Sequence, residues 1–316
     1  MKRKNGKGDD EGEAQRRRPG QIPVVGIGAS AGGISALEAL VPLFKADGGI
    51  AYVVVQHLDP SHESTLTSML DRATEMPVVD AADGLRIEAD RIYIIPRNTT
   101  LTISDDHLHL GPAGEMRGPR TPIDSFFLSL AAAKGENAAC VILSGTGSDG
   151  TLGLRAIKEN GGLTMAQEGA EYDGMMRSAV RTGMVDFVLP LEKIPGKLFD
   201  YFHHLVEIDG RKGPDGVRQE AADHLAQICT LLRMRTGHDF SGYKDKTVAR
   251  RVQRRMQVLQ IDEVPDFIER LRKDPQEVDA LLQDLLIGVT NFFRDPAAFE
   301  ALEREVIPKL FEGKGP

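Results

Sequence analysis

The chain has 316 residues, room for two domains of ordinary size, and its 41% hydrophobic and 27% charged residues are the balance of a water-soluble globular protein. A net charge of −8 argues against general nucleic-acid or membrane-surface binding by the molecule as a whole. No apolar run approaches the roughly 20 residues that a bilayer-spanning helix needs.

Residues 1–20, MKRKNGKGDDEGEAQRRRPG, carry positive charge with no apolar stretch behind it. They are not a secretory signal and read as a disordered polar tail. From residue 22 to 190, short apolar runs (IPVVGIGA, AYVVVQH, RIYIIP, ACVILSG, DFVLP) alternate with helix-like segments (ISALEALVPLF, ESTLTSMLDRA, PIDSFFLSLAAAKG, TLGLRAIKENGG). Strand and helix in repetition imply right-handed crossovers, so the expected fold is α/β, a doubly wound, mostly parallel sheet with helices on both faces. Ile87 to Leu110, with its polar TISDDHLHL stretch, reads instead as short strands in an antiparallel hairpin. After LPLEKIPGKLFDYFHHL, residues 206–220 (VEIDGRKGPDGVRQE) have the composition of a linker. From Ala221 the pattern is helical throughout and predicts a small all-α domain over 221–287. Cys140 and Cys229 have no ligand-spaced partners, so a reduced, cytoplasmic protein without a structural disulfide or metal site is expected.

The chemistry is concentrated at three strand ends. The first strand runs into Gly28-Ala29-Ser30-Ala31-Gly32 and a helix follows, the context that a G-x-S-x-G nucleophile elbow requires. A side chain at Gly28 or Gly32 would collide in so sharp a turn. The turn raises the Ser30 hydroxyl and leaves N–H groups at the helix start for a developing oxyanion. A serine needs an oriented base. The second strand ends in His57, and ACVILSG leads through Thr146 to Asp149, all just past the carboxyl ends of parallel strands. Ser30 is then the nucleophile, His57 the base and Asp149 the group that holds the imidazole. The same glycines also fit a dinucleotide loop, but that reading expects an acidic residue at the end of the second strand, where Gln56-His57 stands. A P-loop is excluded because no Gly-Lys-Ser/Thr follows. Taken singly, His57 reads as structural and Asp149 as a turn residue.

GASAGG, VVVQHL, RTPIDSFFLSLA, LSGTGSDGTLGLRAI and MMRSAVRTGMVDFVLP, in that order, resemble the signature segments of the chemotaxis protein-glutamate methylesterase (CheB-like) family over about residues 22–200. The resemblance implies hydrolysis of glutamate 5-methyl esters on chemoreceptors with release of methanol, deamidation of receptor glutamines as a second activity, and no cofactor. It matches the triad to Ser30, His57 and Asp149, and it matches Thr146 to a position whose backbone N–H joins that of Ala31 in binding the oxyanion. Family members commonly carry threonine where this chain has Ala31 and methionine where it has Thr146. The family's usual receiver domain is replaced by the polar tail, so phosphorylation-gated control is not expected. A second reading keeps the esterase fold as a signalling or binding module acting on a partner other than a chemoreceptor.

In the helical part, Arg250, Arg251, Arg254 and Arg255 fall within two turns. They read as a solvated basic face or as a docking surface for an acidic protein helix, with nucleic acid third because no aromatic interleaving or DNA-binding motif accompanies them. Farther on, LLIGVTNFFRDPAAFEAL resembles the segment that opens the catalytic domain of chemotaxis receptor methyltransferases (CheR-like). By that resemblance Thr290 and Arg294 help shape an S-adenosylmethionine site. Residues 288–316 then read as the start of a truncated methyltransferase domain, and methyl transfer by this chain alone is not expected. The expected organisation is a tail (1–20), a methylesterase domain (21–205), a linker (206–220), a helical domain (221–287) and that fragment (288–316).

Overall fold

β-Branched residues make up half of β1 (Val24–Ala29), and every residue of it is buried, as in a strand covered on both faces. A computed structural model describes residues 22–56, 66–112, 121–213, 215–287 and 302–307. The chain divides into two units, Met1–Phe202 and His203–Pro316.

In the first unit β1 is followed by α1 (Gly33–Leu40), β2 (Ala51–Gln56), α2 (Leu66–Asp71), β3 (Val78–Asp80), β4 (Leu85–Arg86), β5 (Arg91–Ile94), β6 (Thr99–Ser104), β7 (His107–Pro112) and α3 (Pro122–Lys134). Then come β8 (Ala138–Ile142), α4 (Thr151–Glu159), β9 (Leu163–Gln167), α5 (Gly174–Arg181), β10 (Phe187–Leu189) and α6 (Ile194–Lys212), within which the division between units falls. Seven strands form one sheet in the order β10-β9-β8-β1-β2-β5-β3, with every pair parallel. The order reverses at β1, which lies between β8 and β2, so the crevice of a doubly wound sheet opens at the carboxyl end of β1.

One face is covered by α3. A Cβ at Gly26 would lie 2.6 Å from the Phe127 ring, and one at Gly28 would lie 2.5 Å from Ile123 Cγ2. Only glycines let helix and strand approach so closely. Phe126 and Phe127 are fully buried there, each contributing about 1.5–3 kcal/mol by removal from water. On the other face the chain after α1 returns over β2, where Phe44 stacks on Tyr52 at 4.0 Å between ring centroids. The 87–110 segment divides two ways. β5 joins the parallel sheet, whereas β6 and β7 form the antiparallel hairpin and pair with β4 in a separate sheet order β4-β7-β6. Two buried or edge strands, β3 and β9, carry too little alternation to stand out in the sequence.

The second unit packs α7 (Gly216–Asp223), α8 (Leu225–Thr236), α9 (Asp245–Leu259), α10 (Val264–Lys273) and α11 (Pro275–Leu286) around Leu232, Val252, Phe267 and Leu281. Starts and stops follow local chemistry. Asp274 caps α11 by accepting the Gln276 N–H at 3.0 Å, and Gly237 ends α8 in the left-handed region at φ 75°. The expected linker at 206–220 is largely helical. α6 runs to Lys212 and α7 begins at Gly216, because Ile208, Val217 and Ala221 are buried in this core and Lys212 Nζ bonds Glu220 and Glu263. Tertiary packing outweighs the local Gly and Pro content.

Candidate active site

The expected turn follows β1. Gly32 sits at φ 70°, the left-handed conformation that glycine adopts at no cost, and a Cβ there would lie 2.7 Å from Ser144 Oγ. Ser30 is half-buried at the strand end, and its N–H donates to the Ser144 carbonyl at 3.0 Å, carrying the β1–β8 pairing one step past the sheet. Gly33 N–H closes the turn on the Ser30 carbonyl at 2.9 Å. Among the described residues no acceptor takes the N–H of Ala31 or of Thr146.

Asp149 lies after β8, buried at 9% exposure. Its Oδ1 accepts the N–H groups of Asp124 (3.0 Å) and Gly150 (2.8 Å), and its Oδ2 accepts that of Ile123 (3.1 Å). The carboxylate therefore rests on the amino end of α3, where backbone N–H groups and the helix dipole favour its charge. Thr146 is exposed in the loop between β8 and Asp149. His57 lies outside the described residues. β2, paired with β1 through Ala29↔Gln56, is described up to the residue before it.

Several supporting residues carry no sequence signature of their own. Ser144 ties three loops together: its Oγ donates to the Ala31 carbonyl at 2.9 Å and accepts the Tyr172 N–H at 3.0 Å, while its own N–H donates to Gln167 Oε1 at 3.0 Å. Gly145 packs directly on Ser30, since a Cβ there would meet Ser30 Cβ at 3.0 Å and Met175 Sδ at 2.0 Å. Their one common trait is position, at or just past the carboxyl ends of β8 and β9.

The four arginines of α9 do not form a docking face. Arg250 is exposed, but Arg251, Arg254 and Arg255 are 4%, 2% and 7% exposed. Arg254 Nη1 lies 2.7 Å from Asp284 Oδ2, and Arg255 makes a two-pronged pair with Glu277, both bonds at 2.7 Å. Acids on α11 draw these arginines inward. Thr290 and Arg294 lie outside the described residues.

The CheB methylesterase family profile matches residues 25–198, more than half of the chain and all of the described strand-end geometry. The chain belongs to the CheB methylesterase family. The all-alpha domain of CheR methyltransferase matches residues 223–286, most of the second unit. An "Uncharacterized 104.1 kDa protein in hypE 3'region" of Rhodobacter capsulatus is 38% identical over 266 residues, 78% of this chain and 28% of that protein. "Protein-glutamate methylesterase/protein-glutamine glutaminase 2" of Burkholderia lata is 38% identical over 189 residues, 57% of this chain and 54% of its own length. The chain thus spans about half or less of these two relatives. Among solved structures, the Thermotoga maritima CheB methylesterase catalytic domain superposes with a TM-score of 0.53 at 30% identity, covering 56% of this chain and 97% of that domain. A CheB-type catalytic fold followed by a CheR-type helical domain accounts for both units. Among the described residues no helix is long and apolar enough to cross a membrane.

Proposed function

We propose that the first unit is a protein-glutamate methylesterase in which Ser30, His57 and Asp149 act as a triad. Ser30 Oγ attacks the ester carbonyl carbon while His57 takes its proton. The N–H groups of Ala31 and Thr146 hold the oxyanion, and collapse expels the methoxy group, which leaves as methanol with the proton from the imidazolium. Water then cleaves the acyl-serine by the same base, leaving the free glutamate. The Asp149 carboxylate, held by the N–H groups of Ile123, Asp124 and Gly150, is the group we assign to the imidazole. The chemistry asks for no cofactor, because nucleophile, base and orienting charge are all side chains.

The observation that carries this reading is the placement of Ser30 on a strand–turn–helix elbow at the point where the strand order reverses, tied through Ser144 to the loop that leads to Asp149. The Ala29↔Gln56 register supports His57 as the base, since positions 30 and 57 follow directly from paired residues on neighbouring strands. We take the substrate to be a methylated chemoreceptor or a related signalling protein in the cytoplasm, and glutamine deamidation as a second activity in line with the glutaminase in the Burkholderia relative's name. The test is methanol release from a methylated chemoreceptor by the full chain, compared with Ser30→Ala. Turnover should fall on the order of 10³-fold or more, with the fold retained. Equal turnover in the two proteins would sink the triad. Release from a peptide glutamate 5-methyl ester without release from the receptor would move the substrate to another protein.

A further inference from the structure

The amino ends of α3 and α4 exchange their caps. Neither helix is capped by its own N-cap side chain, Thr121 for α3 and Gly150 for α4. Instead Asp149, just ahead of α4, accepts the Ile123 and Asp124 N–H groups of α3, and Asp124 Oδ1 in return accepts the Gly153 N–H of α4 at 2.9 Å. The helices meet without spare room, since a Cβ at Gly153 would lie 2.3 Å from Phe127 Cβ and 3.1 Å from the Asp124 carbonyl oxygen. Asp124 is 5% exposed and Asp149 is 9% exposed. Two carboxyl groups in one dry junction are costly unless each is met by donors, and here each is met by backbone N–H groups at a helix start.

We propose that Asp124 is a positioning residue for Asp149, locking the loop before α4 against α3 through the Gly153 N–H and so fixing the direction in which the Asp149 carboxylate serves the imidazole. The inference rests on the triad reading given above. Asp124 is buried, so in this reading its effect runs through Asp149. Burial, and after it the neighbouring Asp149 charge, raise its carboxyl above the ordinary carboxylate value, with the Gly153 bond opposing.

The experiment measures methanol release by the full chain from a helical peptide bearing a glutamate 5-methyl ester, for wild type, Ser30→Ala, Asp124→Ala and Asp124→Asn, well below the melting temperature of each. A misplacement of about 1 Å costs on the order of 10²-fold. Asp124→Ala should therefore lower kcat by about that factor with KM within about threefold of wild type. Asp124→Asn, whose amide oxygen still accepts from Gly153, should recover kcat to within about threefold, a rescue that a change in stability alone would not produce. Wild-type kcat in a folded Asp124→Ala, or equal losses in the alanine and asparagine variants, overturns the assignment. Should Asp124→Ala not fold, Asp124→Glu takes its place, with its acceptor displaced by one methylene. A lowered kcat at an unchanged KM then supports the assignment, and an unchanged kcat overturns it. Persistent turnover in Ser30→Ala marks failure of the triad itself, a result separate from any of these.

Discussion

The Ser30 N–H donates to the Ser144 carbonyl at 3.0 Å, so the turn that presents the hydroxyl is fastened to the chain leading to Asp149. Gly145, next to Ser144, makes that fastening possible by leaving room for both Ser30 and Met175. Gly145→Ala would put a methyl group 2.0 Å from Met175 Sδ and 3.0 Å from Ser30 Cβ. Overpacking of this kind costs about 1–3 kcal/mol, and here it also displaces Ser30, the nucleophile we propose. We expect a folded protein with a lowered melting temperature and at least about a 10-fold loss of methanol release, in line with the steep cost of misplaced reacting groups. Full turnover in this variant would show that the loop is free to move away from Ser30.

The junction of α3 and α4 has a pH signature. Asp124 keeps its proton to higher pH in the folded protein than in the unfolded chain, because burial and, after it, Asp149 raise its carboxyl above the ordinary value. The native state then binds more protons than the unfolded state over that window, so the Asp124 contribution to stability falls as pH rises through it. Asp124→Asn has nothing to ionise. Its melting temperature relative to wild type should therefore be more favourable at about pH 7 than at about pH 4. An offset that is identical at the two pH values would show that Asp124 ionises in the fold as it does in water.

A third expectation concerns the far edge of the sheet. Lys158 Nζ lies 3.0 Å from Asp186 Oδ1, with the two side chains 4% and 0% exposed, and Asp186 Oδ2 also accepts from the Thr164 N–H and hydroxyl. Asp186→Ala leaves a buried ammonium without this anion, which costs about 3–5 kcal/mol. Asp186→Leu together with Lys158→Met should recover much of the loss, as seen in urea denaturation. A single alanine variant as stable as wild type would place the lysine in water.

The parallel sheet and the elbow were legible because their signals are local. A buried strand, a glycine pair and a helix start all fall within Val24–Leu40, and the polar loop to Asp149 follows an equally plain strand. The bonds of Ser144, Gln167 and Asp124 around the candidate site were not legible, since each joins residues at least 23 positions apart. The same holds for the basic helix. Its apparent face of four arginines dissolves once Glu277 and Asp284, 22 and 30 residues downstream of their partners, pack against it. The segment at 206–220 looked like a linker because its glycines and proline are visible locally, whereas the burial of Val217 and Ala221 is not.

Those buried arginines set the last prediction. Arg255 holds Glu277 through Nε and Nη2 at 2.7 Å each, in a pair 8% and 5% exposed. The desolvation of both charges is already part of the cost of folding this unit, and it is offset only while both partners are present. Glu277→Ala removes the anion but keeps the guanidinium buried, so helical signal against urea should show a loss of about 3–5 kcal/mol. The double change Glu277→Leu with Arg255→Met removes both charges and should restore much of that stability, because an apolar pair of similar volume has no desolvation to repay. Arg250, exposed on the same helix, provides the contrast: Arg250→Ala should stay within about 0.5 kcal/mol of wild type. Added salt separates the two cases further, since exposed charges are screened over about 8 Å at physiological ionic strength and buried pairs far less. If Glu277→Ala proved as mild as Arg250→Ala, the arginines of α9 would have to lie at the surface after all, and an acidic partner for that helix would return to consideration.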